Sequence, residues 1–581
     1  MSASDTSTSN SRLRYAVDET PSEGLTLGLS LQVVTLVLTG IILVPIIVLN
    51  AAGYPEGVEW AVFAALLVSG LSTILQARPM GPVGAGYALY MGTSGAFIGV
   101  STAAVVAGGL PLLGTLVAAS ALVQFFFPAR LSLFRRLVTP TVGGTVIMLI
   151  AVNLFPITTD MLTAVPAGFD PGSLGAPLAA FAAFAAITLV SLYARGATRL
   201  WAPLIGILVG TVAAAPTGML DWTPLLNAAW FGLPPSGWPG LDLAFDARFL
   251  GLLVPFIIVT IIGAIETYGD AIAIQRVSHR TPVPVDFKVV QRALNADGVG
   301  NLLSGLAGTV PNTTYASSIS IADLTGVAAR RVALYAGIII VLAAFVPKIA
   351  AVLQVVPSPV AGAYIFIFLV LLFRQGLRLV TSGGFDYEKG LIVCISFWVG
   401  LGFQYGAIFP DHLPEWSRGV LDNGMASGGI VAMILTLLVS LKERGQHVVL
   451  RPSVRSLSQL RAVLDRAAER AGWDDVATNR LELAGEEAFQ YLLERQAESK
   501  PHPIRVAVRP VDDILQLELV SGPDSANLEA RLGKLDEAHE EQAVVRDVGP
   551  RILRHVAKEV RHEQFYDLDV LTVTVDTRPL V

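Results

Sequence analysis

The sequence predicts a polytopic α-helical membrane protein that carries a soluble α+β domain at its C-terminal end. Of its 581 residues, 53% are hydrophobic and only 15% are charged, and the mean hydropathy is +0.61. Apolar stretches of membrane-spanning length follow one another from Leu25 to Leu441. Beyond Leu441 the charged residues are dense and the apolar residues become periodic. Together these observations exclude a purely soluble protein.

The first segment, Met1–Gly24, is rich in Ser and Thr and carries scattered charges. It lacks the short apolar core and the small-residue cleavage site of a signal peptide. A segment of this composition buries too little apolar surface to fold alone. We therefore expect residues 1–24 to form a disordered cytoplasmic tail.

Residues 25–441 are expected to form the membrane domain, with about fourteen spans when the Gly- and Pro-broken stretches are counted. Lysine and arginine predict the orientation, because cytoplasmic loops carry an excess of them. With the N-terminus inside, the outward-facing loops hold three of these residues and the inward-facing loops hold seventeen. The sequence therefore predicts a multi-pass protein of the plasma (inner) membrane with both termini in the cytoplasm.

Two spans are interrupted by Gly, Pro, Ser and Thr: Gly81–Val100 lies in the third and Gly308–Ser320 in the tenth. Irregular backbone is tolerated at membrane depth only where it is buried in protein or lines a cavity. The two positions correspond if the domain consists of two inverted seven-span repeats, and such a pair indicates a transport site between the repeats. Ordinary packing of small residues between helices is the alternative.

Four carboxylates fall within the spans, namely Glu266, Asp270, Asp297 and Asp323. An ionised side chain inside a bilayer is costly, so each is a candidate for ligand binding or for carrying a coupling ion. Glu266 follows an uncharged run that begins at Phe249, and Asp270 lies one turn further along the same helix face. Alternatively, Asp270 marks a cytoplasmic helix end and Asp297 caps a helix.

Other functional classes find little support in the sequence. No metal-ligand cluster, nucleophile elbow or complete phosphate-binding loop appears, so we expect neither an enzyme nor a bound cofactor or metal. Residues 1–450 hold 22 basic and 22 acidic side chains, so the net charge of −6 belongs to the tail, which has 18 and 24. Because a strongly basic face is absent, we expect no binding to nucleic acid.

A polar linker, Lys442–Pro452, leads into residues 453–581, which have the length of an ordinary domain. Apolar periodicity predicts its helices and strands. The predicted helices are Arg455–Ala471, Ala477–Arg495 and Pro550–Val560, and the predicted strands are Ile504–Val508, Ile514–Val520 and Val570–Val575. We therefore expect a separate cytoplasmic α+β unit.

Five short motifs point to a known family. They are Leu31–Gln32 with Gly40–Pro45, Gly92–Phe97, Glu266–Asp270, Ala296–Asn301 and Val310–Tyr315. Through these motifs, residues 24–441 resemble the nucleobase-ascorbate transporters, the uracil/xanthine permeases. The resemblance implies short strands in spans 3 and 10, a core and a gate domain, a homodimer, and uptake of a purine or pyrimidine coupled to H⁺ or Na⁺.

The resemblance also implies roles for individual residues. The Glu266 carboxylate would hydrogen-bond the base, and backbone at Gly95 and Ser317 would contact it. The candidate substrate-binding residues are Glu266, Gly95, Ser94, Ser317, Ser318 and Asp270. The candidate ion-coupling residues are Glu266, Asp270, Asp297 and Asp323, because all seven histidines lie in loops or in the tail.

Several positions depart from the family pattern, among them Ser318, Ser320 and Asp323 in the tenth span. Ser317 stands where the family has Gln or Glu, Val33 replaces the first-span histidine of uracil permeases, and Gly95 replaces an aromatic residue. These differences predict a wider and more polar pocket than a uracil site. The identity of the substrate therefore stays open.

The tail is similar to the anti-sigma-factor kinases of the histidine-kinase ATPase fold, through Leu481–Ala488 and Asp547–Leu553. The resemblance makes Glu487, Asp547 and Gly549 candidate nucleotide-binding residues. Tyr491 stands where these kinases have the Asn that binds Mg²⁺, and a phenol is a poor substitute for an amide oxygen in that role. We therefore expect a degenerate regulatory or dimerising domain, with a cytoplasmic regulatory protein as a possible partner.

The leading hypothesis is an ion-coupled symporter of a nucleobase or similar heterocycle, regulated by the tail. An anion carrier for sulfate or bicarbonate is an alternative of the same architecture, which the charge of Glu266 disfavours. A membrane receptor that binds a ligand and signals through the tail is a third reading.

Overall fold

The computed structural model describes residues 13–126, 139–165, 173–234, 236–280, 285–381, 384–413, 421, 423–442, 446–496, 502–511, 514–522, 528, 548–564 and 568–577. The membrane domain is helical. Its helices are α1 (Glu23–Ala51), α2 (Val58–Ala77), α3 (Ile98–Gln124), α4 (Pro140–Asn153), α5 (Phe155–Thr163), α6 (Gly175–Tyr193), α7 (Ala202–Ala214), α8 (Thr223–Asn227), α9 (Ala247–Val277), α10 (Phe287–Ala307), α11 (Ser317–Thr325), α12 (Arg330–Ala344), α13 (Pro347–Gln354), α14 (Ser358–Thr381), α15 (Tyr387–Gln404) and α16 (Gly424–Lys442).

Within the described ranges, eight helices are long and apolar enough to cross a membrane, or nine if the bent pair α12 and α13 counts as one span. The larger number expected from the sequence also counts shorter helices such as α11 and α16. Helix α3 is interrupted at Gly108 and Gly109, where Gly109 has a φ of +69° that favours glycine. The prediction of a polytopic helical membrane domain is confirmed.

The helices form two bundles. Helices α1, α2, α3, α9, α10 and α12 pack on one another as the first bundle, and α4, α5, α6, α7, α14, α15 and α16 form the second bundle. Glycines allow the closest approaches: a Cβ on Gly70 of α2 would lie 2.6 Å from the Gly337 carbonyl oxygen of α12. In the second bundle, a Cβ on Gly144 of α4 would lie 2.5 Å from the Gly376 carbonyl oxygen of α14. Such contacts hold helices together where lipid provides no hydrophobic driving force.

The two interrupted segments meet in a short antiparallel sheet inside the first bundle. Strand β1 (Met91–Thr93) pairs with β2 (Asn312–Thr314), with Gly92 opposite Thr313. Tyr315 covers this pair: its ring would lie 2.4 Å from a Cβ on Gly92. Its hydroxyl donates to the Thr93 carbonyl oxygen over 3.0 Å. The short strands expected in these two segments are therefore confirmed.

The N-terminal segment, residues 13–22, differs from the predicted disordered tail. Leu13 and Val17 are buried, and Tyr15 forms a parallel bridge with Val327. The Arg14 N–H donates to the Gly326 carbonyl oxygen over 2.7 Å. Burial of two apolar side chains and pairing with the loop after α11 hold this part in place. The rest of the predicted tail, residues 1–12, lies outside the described residues.

The described part of the tail forms an antiparallel five-stranded sheet in the order β3–β4–β5–β7–β6. The strands are β3 (Gln446–Leu450), β4 (Ile504–Val511), β5 (Ile514–Ser521), β6 (Glu559–Gln564) and β7 (Asp569–Asp576), and the helices are α17 (Leu457–Arg470), α18 (Asp475–Gln496) and α19 (Val548–Val556). Buried Leu464, Leu481 and Leu517 join α17, α18 and β5 in one core. The C-terminal α+β fold is confirmed.

Two boundaries in the tail differ from the prediction. Strand β3 lies within the stretch assigned to the linker, because Val448 and Leu450 contribute to the core of the sheet. The helix expected over Pro550–Val560 ends at Val556, and β6 begins at Glu559. Just before β6, the backbone N–H of Lys558 donates to the Thr574 carbonyl oxygen of β7 over 2.8 Å, which starts the strand pairing.

The tail sheet touches the membrane domain. Val570 of β7 is fully buried in an apolar cluster that also contains Leu13 of the N-terminal segment and Phe287 and Val290 of α10. Val520 of β5 packs against the same cluster. The tail is therefore docked on the end of α10 and beside the N-terminal segment.

Candidate functional site

A cavity of about 380 Å³ lies between the two bundles. This volume falls in the range of small-molecule binding sites. The first bundle contributes α1, the ends of β1 and β2, α9 and the start of α11, while the second contributes α7 and α14. Most of the lining is apolar, and the polar groups are concentrated at the strand ends and on α9.

The strand ends bring backbone to the cavity. Ser94 and Gly95 follow β1, and Ser317 begins α11 shortly after β2, so all three line the cavity. The first N–H groups of a helix have no acceptor within the helix, and they need partners from elsewhere. The Thr93 hydroxyl donates to the Gly40 carbonyl oxygen over 3.0 Å, which holds β1 against α1.

Glu266 projects from α9 into the cavity and is partly exposed. Its Oε1 lies 3.5 Å from the Nε2 of Gln375 on α14. Within the described ranges no lysine or arginine pairs with it. A carboxylate without a cation in a largely apolar cavity has strong capacity to accept hydrogen bonds from a ligand.

Asp270 lies one turn beyond Glu266 and also lines the cavity. Its Oδ2 accepts a hydrogen bond from the Thr314 hydroxyl over 2.8 Å. That hydroxyl lies 3.2 Å from the hydroxyl of Thr267. Asp270 therefore links α9 to the end of β2.

Asp297 is completely buried in α10 and does not line the cavity. Its Oδ2 accepts a hydrogen bond from Gln124 Nε2 over 2.7 Å. The Gln124 Oε1 accepts from Asn301 Nδ2 over 3.0 Å, and Asn301 Oδ1 accepts from the Asn312 N–H over 2.7 Å. A chain of hydrogen bonds thus connects Asp297 with the start of β2.

Besides Asp297, two more candidate residues lie away from the cavity. Ser318 is buried, and its hydroxyl oxygen accepts a hydrogen bond from the Tyr90 N–H over 3.0 Å. This contact ties α11 to the segment before β1. Asp323 lies on the exposed face of α11. The structure therefore brings together Glu266, Asp270, Ser94, Gly95 and Ser317. It leaves Asp297, Ser318 and Asp323 outside the cavity.

Sequence reasoning missed the contribution of α14. Tyr364, Phe368 and Gln375 of this helix all line the cavity. They belong to an unbroken apolar helix, and the only signal in the sequence is that Gln375 follows an apolar stretch that ends at Phe373. The face that a regular helix presents to a cavity becomes visible only from the packing.

In the tail, the Glu487 carboxylate lies against α19, where a Cβ on Gly549 would be 2.5 Å from its Oε2. Burial raises the pKa of Glu487 above its ordinary value. Tyr491 is buried, and its ring packs edge-on against the ring of His562. Burial lowers the pKa of His562 to about 4. The third candidate, Asp547, lies outside the described residues.

Comparisons with known proteins give a consistent picture. The Permease family, through its xanthine/uracil permease model, matches residues 24–408. A Clostridium perfringens protein provisionally named a purine permease is 32% identical over 74% of this chain and 93% of its own length. The xanthine permease XanP of Escherichia coli is 28% identical over 74% of this chain and 95% of its own length. The uric acid permease PucK of Bacillus subtilis is 26% identical over 71% of this chain and 95% of its own length.

Solved structures also show similarity. The transmembrane domain of the cyanobacterial bicarbonate transporter BicA is 16% identical, covers 73% of this chain and 100% of its own, and has a TM-score of 0.43. The murine anion transporter Slc26a9 in the inward-facing state is 12% identical over 75% of each chain, with a TM-score of 0.47. Similarity at this level does not identify a substrate.

Proposed function

We propose that this chain, which belongs to the xanthine/uracil permease family, is a secondary active symporter that takes up a nucleobase. The observation that carries the proposal is the Glu266 carboxylate, which faces the cavity without a cation partner among the described residues, beside the strand ends at Gly95 and Ser317. A nucleobase offers planar N–H donors to the carboxylate and ring acceptors to backbone N–H groups.

The choice of a nucleobase over an anion follows from charge. A carboxylate such as Glu266 repels an anion in an apolar cavity, whereas it attracts the N–H groups of a neutral heterocycle. The names of the relatives, which are purine, xanthine and uric acid permeases, support the same substrate class. A wild-type protein that binds sulfate or bicarbonate and ignores nucleobases would contradict the proposal.

We propose that uptake is coupled to H⁺ or Na⁺ through the intramembrane carboxylates. Glu266 and Asp270 lie one turn apart at the cavity, and Asp297 is linked by hydrogen bonds to the start of β2. An ion that neutralises one of these carboxylates would therefore change the surroundings of the substrate. Asp323 lies on the exposed face of α11, so it is the least suited of the four candidates to bind a coupling ion.

The excess of basic residues on one side supports a plasma membrane protein with both termini in the cytoplasm. We also propose that the protein forms a homodimer, as the family resemblance implies. The apolar cluster that Val570 shares with Phe287 of α10 supports a regulatory tail, because α10 carries Asp297. Buried Tyr491 and the position of Glu487 against Gly549 favour a tail that does not hydrolyse ATP. We propose a cytoplasmic regulatory protein as the partner of this tail.

Flux measurements in proteoliposomes test the proposal. Proteoliposomes that contain the purified protein should accumulate radiolabelled xanthine when a proton or sodium gradient is imposed. Each gradient is tested alone to identify the coupling ion. Ligand binding without net flux would make the protein a receptor. A gradient-independent flux of bicarbonate or sulfate, without nucleobase uptake, would make it an anion carrier.

A further inference from the structure

One face of α14 meets the candidate site from the second bundle. Phe368 and Gln375 are seven residues apart, so they lie on the same side of the helix. Both line the cavity, Phe368 is partly exposed and Gln375 is exposed. They face Gly95 and Glu266, respectively, across the gap between the bundles.

The side-chain amide of Gln375 makes a long, weak hydrogen bond with Glu266. Its Nε2 lies 3.5 Å from Glu266 Oε1, at the long limit for a hydrogen bond. An amide carries two N–H donors and one carbonyl acceptor, and a carboxylate accepts more than one hydrogen bond. A ligand placed beside both groups can therefore improve on the contact that they make with each other.

The ring of Phe368 lies directly over Gly95. A Cβ at position 95 would lie 2.5 Å from Cε1 and from Cζ of Phe368. Only glycine therefore allows the ring this close to the end of β1. The ring provides a flat apolar surface beside the backbone of the strand end, and planar ligands stack on such surfaces.

We propose that α14 completes the binding site, with Gln375 as a hydrogen-bonding and Phe368 as a stacking residue for a base that carries a lactam edge. In such an edge an N–H donor stands next to a carbonyl oxygen, as in oxopurines. The N–H donates to Glu266 and the carbonyl accepts from the Gln375 amide, while the ring packs against Phe368. This inference rests on the proposed function, and it adds the two residues of α14 that select among bases.

The geometry has a consequence for the bundles. Glu266 belongs to the first bundle and Gln375 to the second. A base that bonds both side chains joins the two bundles across the cavity. Substitution of either Gln375 or Phe368 should therefore weaken binding itself, not only a later step of transport.

The experiment measures dissociation constants of xanthine, which has lactam edges, and of purine, which has none, by calorimetry on the purified full-length protein. We expect Gln375→Leu to weaken xanthine binding about tenfold. Its effect on purine should be small, so the selectivity for xanthine should shrink. Phe368→Ala should weaken both bases about tenfold, because stacking does not depend on the lactam.

Phe366→Ala is the matched control. Phe366 lies on the same helix but packs against Phe155 and Phe184, so its removal should leave both dissociation constants unchanged. A double variant tests the contact with Gly95 directly. Gly95→Ala should impair binding in the wild-type background and much less in Phe368→Ala, because the ring that the new Cβ would meet is then absent.

Thermal unfolding of every variant separates loss of the site from loss of the fold. If xanthine and purine both fail to bind the wild-type protein, the proposed function fails. If the wild-type protein binds xanthine and folded Gln375→Leu and Phe368→Ala bind it equally well, the role of α14 is overturned while the proposed function stands. Equal weakening of xanthine and purine by Gln375→Leu would overturn the assignment of the lactam edge.

Discussion

The two walls of the cavity are built in different ways. The first bundle supplies strand ends, the start of α11 and the carboxylates of Glu266 and Asp270, whereas the second supplies the continuous helix α14. Broken backbone and intramembrane charge are unusual in a lipid environment and are visible in a sequence. The contrast teaches that binding residues on irregular segments can be found in the sequence. Binding residues on one face of a regular helix can be identified only once the packing of the helix is known.

The largest expected effect concerns the charged wall. Glu266→Gln should reduce uptake by about 100-fold, because a charge-assisted hydrogen bond to the ligand is lost. Initial rates in proteoliposomes between pH 5 and 8 provide the measurement. The matched control is Asp323→Asn, which changes an exposed carboxylate of α11 that does not line the cavity. Wild-type uptake by Glu266→Gln across this pH range would contradict the assignment.

The next test compares a glycine of the cavity wall with a glycine of the helix packing. Gly95→Phe should abolish binding, since even a Cβ there would meet Phe368 at 2.5 Å. Gly70→Ala should instead lower the free energy of unfolding, by about 1–3 kcal/mol, because its Cβ would lie 2.6 Å from the Gly337 carbonyl oxygen. Xanthine binding and thermal unfolding are measured for both. Normal transport by Gly95→Phe would remove the end of β1 from the site.

A smaller effect is expected at the start of α11. Ser317→Gln introduces a longer amide side chain into the cavity, so we expect altered preference among bases with folding intact. Competition of xanthine uptake by uracil, adenine and uric acid gives the preference. If the order of competitors stays the same as in the wild-type protein, Ser317 does not face the ligand.

The smallest effect is expected from the tail. Removal of residues 446–581 should leave the dissociation constant for xanthine within about twofold, since none of the lining residues belongs to the described part of the tail. The transport rate or the stability of a dimer should change, because Val570 is lost from the apolar cluster that it shares with Phe287. Calorimetry of the full-length protein with Mg-ATP completes the test. Micromolar binding that disappears in Glu487→Ala would contradict a degenerate tail.

Much of the architecture follows from the sequence. The apolar stretches predict the helical membrane domain, and the interruptions at Gly81–Val100 and Gly308–Ser320 mark the segments that form β1 and β2. Alternation of apolar residues identifies β4, β5 and β7, because each has one face in the core. Strand β6 was not predicted, because four of its six residues are Glu, Arg or His and apolar alternation is weak there.

Only some residues of the candidate site could be predicted from the sequence. Glu266 and Gly95 occur in recognisable motifs, whereas the contact between Phe368 and Gly95 joins residues far apart in the chain and on different bundles. Ser318 illustrates the opposite case. It neighbours Ser317 in sequence, yet the helical turn directs it towards Tyr90 and away from the cavity.

The N-terminal segment has a practical consequence for anyone who expresses this protein. Arg280 pairs with Glu19, Arg330 pairs with Asp18, and Arg14 and Tyr15 bond the Gly326 carbonyl oxygen at the far end of α11 from Ser317. Trimming the chain to the first apolar residue of α1, a common step in preparing membrane proteins, would remove these anchors. In a shortened protein, α11 would still reach the cavity at Ser317 but would no longer be held at its other end by the N-terminal segment. Kinetic work should therefore keep residues 13–22 in place.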